Sequence, residues 1–282
     1  MRRTHLETAQ FVVDEFKQAG MNLSPSSRWM RKYRILAKWK DKVIPPSHAD
    51  FEVALEAVRD MQLLAFIFLQ EHWKNRQPKL MGFLKKLTQD PALPENKHSP
   101  GRDTQFEIFV AAVCQAANLN PVDYEEPPDV TCNLRGVKLG IAAKRLKSAA
   151  QAHKRIPEAA DQIENSKALG VIVFDTTFAL NPNNWRAGVP MPDDQFVKLH
   201  KLKVDWFLSK YDPQIRVCTQ RHGVLGVIVH DHEVRFEPDG SWSLSSMTVD
   251  FCTAKIPSAR KLFKDFKTLY VSSLPNHREV PK

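Results

Sequence analysis

The sequence predicts a mixed α/β (α+β) fold behind a helical N-terminal region. Residues of about 1–90 place apolar side chains at helical spacing. A punctuated stretch at 90–102 follows, with Pro91, Pro94, Pro100 and Gly101 around Asn96 and His98. Beyond it the texture changes to helix, three strands, helix, strand (αβββαβ). The expected organisation is a helical domain over 1–95 and an α/β domain over 96–282.

In the first domain, Phe11, Val12 and Phe16 define a helix from His5 to Ala19, stopped by Gly20. A second helix is expected from Ser27 to Lys42. Pro45-Pro46 break the chain, and Ser47 with Asp50 makes a capping-box signal for a long helix over Asp50–Trp73. A shorter helix fits Lys79–Leu87. In the second domain, Phe106, Phe109, Val110 and Val113 mark a helix over Asp103–Ala117. Strands are expected near Val122–Tyr124, Val130–Leu134 and Val137–Arg145. A helix over Pro157–Leu169 would start with Pro157 in its first turn, and Val171–Phe174 reads as a buried strand. Asp193–Lys210 is expected to be helical and Val224–Val229 to be a buried strand. Glu233–Phe251 should form a hairpin turning at Pro238-Asp239-Gly240, and a last helix fits Ile256–Tyr270.

Composition bounds the function. The 282 residues carry 41 Lys and Arg against 32 Asp and Glu, a net charge of +9. Such a balance favours polyanionic partners, nucleic acid first and an acidic membrane surface second. Cys114, Cys132, Cys218 and Cys252 make no C-x-x-C pair, so neither a zinc ribbon nor a redox motif is expected, and scattered thiols suit a reducing cytosol. No apolar run is long enough to span a bilayer, Leu63–Leu69 being the longest. The N-terminus lacks a signal-peptide pattern, and the expected location is cytoplasmic. G-x-S-x-G and Walker A patterns are absent, so triad hydrolysis and ATP hydrolysis are not expected.

The chemistry concentrates on the strand Val137–Lys144. Side chains alternate faces. Val137, Leu139, Ile141 and Ala143 form an apolar face; Lys138, Gly140, Ala142 and Lys144 share the other. A lysine ending a buried strand needs a partner or a task. Pro128-Asp129 opens the preceding strand, and a hairpin around Asn133–Gly136 would bring Asp129 near Lys144. Glu107 lies on the helix before them and Gln162 on the helix after.

This stretch, Asp103–Thr177, resembles the PD-(D/E)XK (restriction endonuclease-like) nuclease superfamily over about 75 residues. Glu107 matches the family's helical acid, Pro128-Asp129 the first half of its signature, and Lys144 the signature lysine. Arg145 continues a common Lys-Arg ending, and Gln162 is similar to a glutamine that some branches carry. The resemblance implies a Mg²⁺-dependent nuclease (Mn²⁺ as a substitute) that hydrolyses phosphodiesters of DNA rather than RNA, in restriction, phage defence or DNA processing. Asp129 would bind the metal, Glu107 would hold it through a metal-bound water, and Lys144 would serve the chemistry with support from Gln162.

One position departs from the pattern. The family requires Asp or Glu two residues before the lysine, and this chain has Ala142. Mg²⁺ takes hard oxygen ligands in an octahedron, typically one or two carboxylates with water and phosphate, and its work here would be to polarise phosphate and activate water. With one ligand missing, weak metal affinity and little or no cleavage are expected. Three readings of Ala142 stand open. It is an engineered replacement disabling an active nuclease, a natural loss that leaves a binding protein, or a site whose acid has moved to Glu125, Glu126 or Glu164. The first is preferred, because the other members of the site are in place. The alternative function is a non-catalytic nucleic-acid-binding or assembly subunit.

Two basic segments are candidate nucleic-acid contacts. Arg145, Lys147, Lys154 and Arg155 follow the active strand directly. Arg31, Lys32 and Arg34 lie in the basic–aromatic run Arg28–Lys40, whose aromatic residues read more simply as an inward helix face. His230-Asp231-His232 is expected in a surface loop, not at a metal. A protein partner or a homodimer is left open.

Overall fold

The computed structural model describes residues 4–39, 51–75, 78–88, 90, 100–124, 127–180, 192–236, 242–252 and 254–275. The Ser47–Asp50 capping signal, the proline-rich residues 91–99, Glu125, Glu126 and the turn at 238–240 lie outside them. Two compact units divide the chain. The first takes Met1–Gln105 with Asn183–Pro192 and His232–Ser245; the second takes Phe106–Pro182, Asp193–Asp231 and Ser246–Lys282.

The first unit is helical. Helix α1 (His5–Gln18) starts at a capping box in which Glu7 N donates to Thr4 Oγ1 and Thr4 N to Glu7 Oε2. Helix α2 (Arg28–Lys38) is capped by Ser27. The long helix expected over 50–73 is divided into α3 (Phe51–Phe68) and α4 (Glu71–Lys74), with Gln70 extended between them. The break lets Trp73 stack on Phe68 at 4.0 Å and donate its indole N–H to Glu15 at 2.6 Å. Helix α5 (Pro78–Leu87) follows. Phe16 packs against both Trp29 and Phe68 and centres the apolar core.

Beside that core lies a buried ionic network. Lys32 donates to Asp60 and to the Glu56 carbonyl; Arg28 donates to Asp60 and to Gln105. Asp90 accepts from the Arg102 backbone at 2.7 Å. Burial pushes the Lys32 ammonium well below its ordinary pKa, against the pull of Asp60. Burial alone would raise Asp60, but the charges of Arg28 and Lys32 outweigh it and hold the carboxyl well below the usual range. Asp60 therefore stabilises the fold above the ordinary carboxylate pKa, and that contribution is lost as pH falls toward its lowered folded value. Asp60→Ala should destabilise the protein by about 3–5 kcal/mol, because Arg28 and Lys32, both buried, lose the carboxylate they share. Lys32→Met should cost clearly less. Urea unfolding midpoints at neutral pH check the order; equal midpoints would refute it.

The second unit is built on a mixed sheet of five strands in the order β1-β2-β3-β4-β5. Helix α6 (Pro100–Ala116) leads into the hairpin of β1 (Val130–Leu134) and β2 (Val137–Arg145). The turn residues Arg135 and Gly136 both have positive φ, the conformation that a two-residue hairpin with right-handed twist demands. The strand expected at 122–124 is reduced to a single bridge, Asp123 to Thr131. Helix α7 (Ala152–Asn165) carries the chain to β3 (Leu169–Asp175), which pairs parallel with β2. Pro157 lies inside α7 rather than in its first turn, since the helix begins five residues earlier. After the short α8 (Thr177–Leu180), α9 (Asp193–Thr219) runs through Pro213, beyond the expected end at Lys210. Strand β4 (Val224–Phe236) pairs parallel with β3, β5 (Trp242–Cys252) lies beside it, and α10 (Pro257–Ser272) ends the fold.

Helices cover both faces of this sheet, as a buried parallel sheet requires. On one face Ala142, Ile172, Phe174, Val227 and Val229 pack with Ile156, Ala160 and Ile163 of α7 and Val204, Phe207 and Ile215 of α9. On the other, Phe106 and Phe109 of α6 and Tyr270 of α10 surround the His230 ring. Phe263 of α10 lies so close to Gly226 that a Cβ there would meet its ring at 2.6 Å. Among the described residues, no helix is long and apolar enough to cross a membrane.

Candidate functional site

The β1–β2 register sets Val130 opposite Ile141. Continued by one residue, it sets Asp129 opposite Ala142. Residues directly opposite in an antiparallel pair share a face with Cβ atoms about 4.5–5.5 Å apart. Ala142 and Lys144 also share a face, being two apart on β2. The hairpin therefore gathers Asp129, position 142 and Lys144 on the α7 side of the sheet.

Asp129 is the hub. Its Oδ2 accepts from the Ala143 backbone N–H at 2.8 Å and from Lys144 Nζ at 2.7 Å, and its Oδ1 accepts from Gln162 Nε2 at 3.3 Å. The side chains of Lys144 and Asp129 are 13% and 8% exposed, so the pair is largely withdrawn from water yet still reachable from it. The side-chain carbonyl oxygen of Gln162 is buried with no hydrogen-bond partner among the described residues, an acceptor left over beside Asp129. Pro128 packs over Gly140, where a Cβ would meet its ring at 2.7 Å. A side chain at 140 would therefore push Asp129 out of place.

Of the residues expected from sequence, Asp129, Lys144 and Gln162 come together, with Ala142 beneath them. Glu107 is half-buried on α6. Glu164 is directed elsewhere: it accepts from Arg221 at 3.1 Å, so it does not replace the acid missing at 142. Glu125 and Glu126 lie outside the described residues.

The donor set as it stands does not fit Mg²⁺. Its hub is one carboxylate, Asp129, whose two oxygens already accept three hydrogen bonds, one of them from an ammonium. The Ala142 methyl stands where the second carboxylate was expected and packs within the apolar core. Lys144 acts as the counter-ion of Asp129, and a buried carboxylate paired in this way needs no metal to balance it.

Three expected nucleic-acid contacts need correction, because burial removes them from the surface. Arg145 pairs with Asp175 of β3 at 3.7 Å and lies against the Phe178 ring. Lys147 is 5% exposed, and Lys32 is fully buried in the ionic network of the first unit. Lys154 and Arg155 reach the surface but pair with Glu158, at 3.7 Å and 3.0 Å. Arg31 and Arg34 are exposed on α2. The expected surface loop at His230-Asp231-His232 is also overturned, since all three lie buried within β4.

A buried pair beside that strand escaped the sequence reading. His200 Nε2 of α9 stands 2.8 Å from Asp231 Oδ2, with Lys203 Nζ 3.8 Å from the same oxygen. The alternation of β4 places Asp231 on the α9 side with Val227 and Val229, but nothing in the sequence ties it to a histidine 31 positions away.

No family model, no curated protein and no solved structure matches the chain.

Lys144→Met should destabilise the protein by about 3 kcal/mol, by leaving Asp129 part-buried and charged without its cation. Adding Asp129→Asn should recover much of that loss, a coupling of more than about 1 kcal/mol in a double-mutant cycle of denaturant midpoints. Additive losses would show that the pair is not coupled.

Proposed function

We propose that the second unit is a restriction endonuclease-like core of the PD-(D/E)XK type. Its Asp129–Lys144–Gln162 cluster belongs to a metal-dependent deoxyribonuclease, disabled in this chain at position 142. The observation that carries this reading is the register: it sets Ala142 opposite Asp129 and on the face of Lys144, where the motif Pro-Asp … acid-x-Lys needs its second carboxylate. The order α6, β1, β2, α7, β3 and the glutamine on α7 support it further. A glutamate at 142 would stand beside Asp129, and two carboxylates with Lys144 nearby are a donor set that suits Mg²⁺ or Mn²⁺. Restriction, phage defence and DNA processing are the settings in which such an enzyme would act.

A second reading is a non-catalytic nucleic-acid-binding or assembly subunit. Two observations favour it: Ala142 is fully buried among apolar neighbours, and Asp129 is already neutralised by Lys144.

Cleavage decides between them. Plasmid and linear DNA are incubated with the chain and with Ala142→Glu, in Mg²⁺ or Mn²⁺ and in EDTA. The nuclease reading expects metal-dependent cutting by the glutamate variant alone. If a folded Ala142→Glu protein binds DNA but does not cut it, the non-catalytic reading takes its place.

A further inference from the structure

With Lys147 and Lys32 buried and the Arg145 side chain largely withdrawn, the surface that answers to the net charge of +9 lies elsewhere. The described helices differ in how they handle their exposed cations. On α7, Lys154 and Arg155 are matched by Glu158. On α9, Lys198, Lys201 and Arg216 each pair with an acid four residues away.

The first half of α10 differs from α7 and α9. Lys255, two residues before the helix, and Arg260, Lys261 and Lys264 within it are all exposed. No described acid pairs with any of them, and the Arg260 guanidinium donates only to the Ala254 carbonyl at 2.6 Å. The acid that α10 carries is taken: Asp265 accepts from Arg135 at 2.8 Å. At 100° per residue, Arg260, Lys261 and Lys264 fall within an arc of about 100°. That arc lies opposite Phe263, Phe266 and Tyr270, which are buried. The result is a row of cations held on one side of a packed helix with no counter-charge of its own.

We propose that this row, on the face of the sheet opposite Asp129, is a docking surface for the phosphate backbone of nucleic acid. The argument is charge complementarity. Each unpaired surface cation that meets a phosphate releases a condensed counterion, a gain that cations already paired to Glu or Asp do not supply. Several cations on a rigid helix follow a backbone without reading bases, so the contact would be independent of sequence. It needs neither metal nor cleavage, and it stands apart from the reading of Asp129.

The test is anisotropy of a labelled random-sequence DNA duplex in EDTA over a series of salt concentrations. The chain is compared with the triple variant K255E/K261E/K264E and with R31E/R34E on α2. The expected result is a linear fall of log affinity with log salt for the chain. The triple variant should lose about 2–3 units of that slope and bind about tenfold or more weakly at low salt, while R31E/R34E keeps the slope. Circular dichroism melts should coincide, since the three lysines are exposed. An unchanged slope in the triple variant overturns the proposal. So does a loss confined to R31E/R34E, or binding of these lysines to anionic-lipid vesicles with none to the duplex. Because Ala142→Glu is assayed by cutting and this surface by binding, failure of either leaves the other standing.

Discussion

The Asp129 carboxylate ties together three elements that the chain brings from separate places. It sits one residue before β1, takes a backbone N–H and an ammonium from β2, and takes an amide from α7. Each donor is supplied by a constraint elsewhere. The two-residue turn at Arg135-Gly136 fixes the hairpin register, and a slip of one residue would turn Lys144 to the other face. Gly140 leaves room for Pro128, which holds Asp129 at the strand edge. The parallel pairing of β2 and β3 requires a crossover, and α7 is that crossover. The cluster is therefore a consequence of topology, not of residues adjacent in sequence.

Charge in this protein is managed in two ways. In the first unit, Arg28, Lys32, Glu56, Asp60 and Asp90 are buried together and pair with one another. Such a network contributes little net stability against an apolar core but is costly to break. In the second unit, Lys144 and Asp129 balance at the edge of the sheet, and Arg145 pairs inward with Asp175. Arg260, Lys261 and Lys264 on α10 face water with no acid paired to them among the described residues. A sequence count of Lys and Arg shows none of this, because it does not separate a solvated cation from one sealed beside a carboxylate.

Much of the fold was legible from local pattern. The alternation over Val137–Arg145 located β2 to the residue, and the apolar run at 171–174 located the centre of β3. The pairing of Asp129 with Lys144 followed from reading 133–136 as a turn. What was not legible depended on tertiary context. Pro157 drew the expected start of α7 to itself, yet the helix begins at Ala152 and accepts the lost ladder bond and ring crowding of an internal proline, with Ala152 and Ile156 packed in the core. The helix expected over Asp193–Lys210 likewise continues to Thr219, with Ile215 packed in the core. Arg145 and Lys147 looked like a substrate-facing ending because sequence cannot show that Asp175, thirty residues after Arg145, lies alongside it. Asp231 and His200 were hidden for the same reason.

The central claim is that position 142 is the missing ligand of a metal site whose other carboxylate is Asp129. The most direct measurement is Mn²⁺ binding by electron paramagnetic resonance, on the chain as it stands, on Ala142→Glu and Ala142→Asp, and on Ala142→Glu with Asp129→Asn, each checked for folding by circular dichroism. The account predicts that either acid at 142 creates a Mn²⁺ site, that the chain itself has none, and that Asp129→Asn abolishes the new one. Equal Mn²⁺ binding with and without an acid at 142, or folded acidic variants that take up no Mn²⁺, would contradict it.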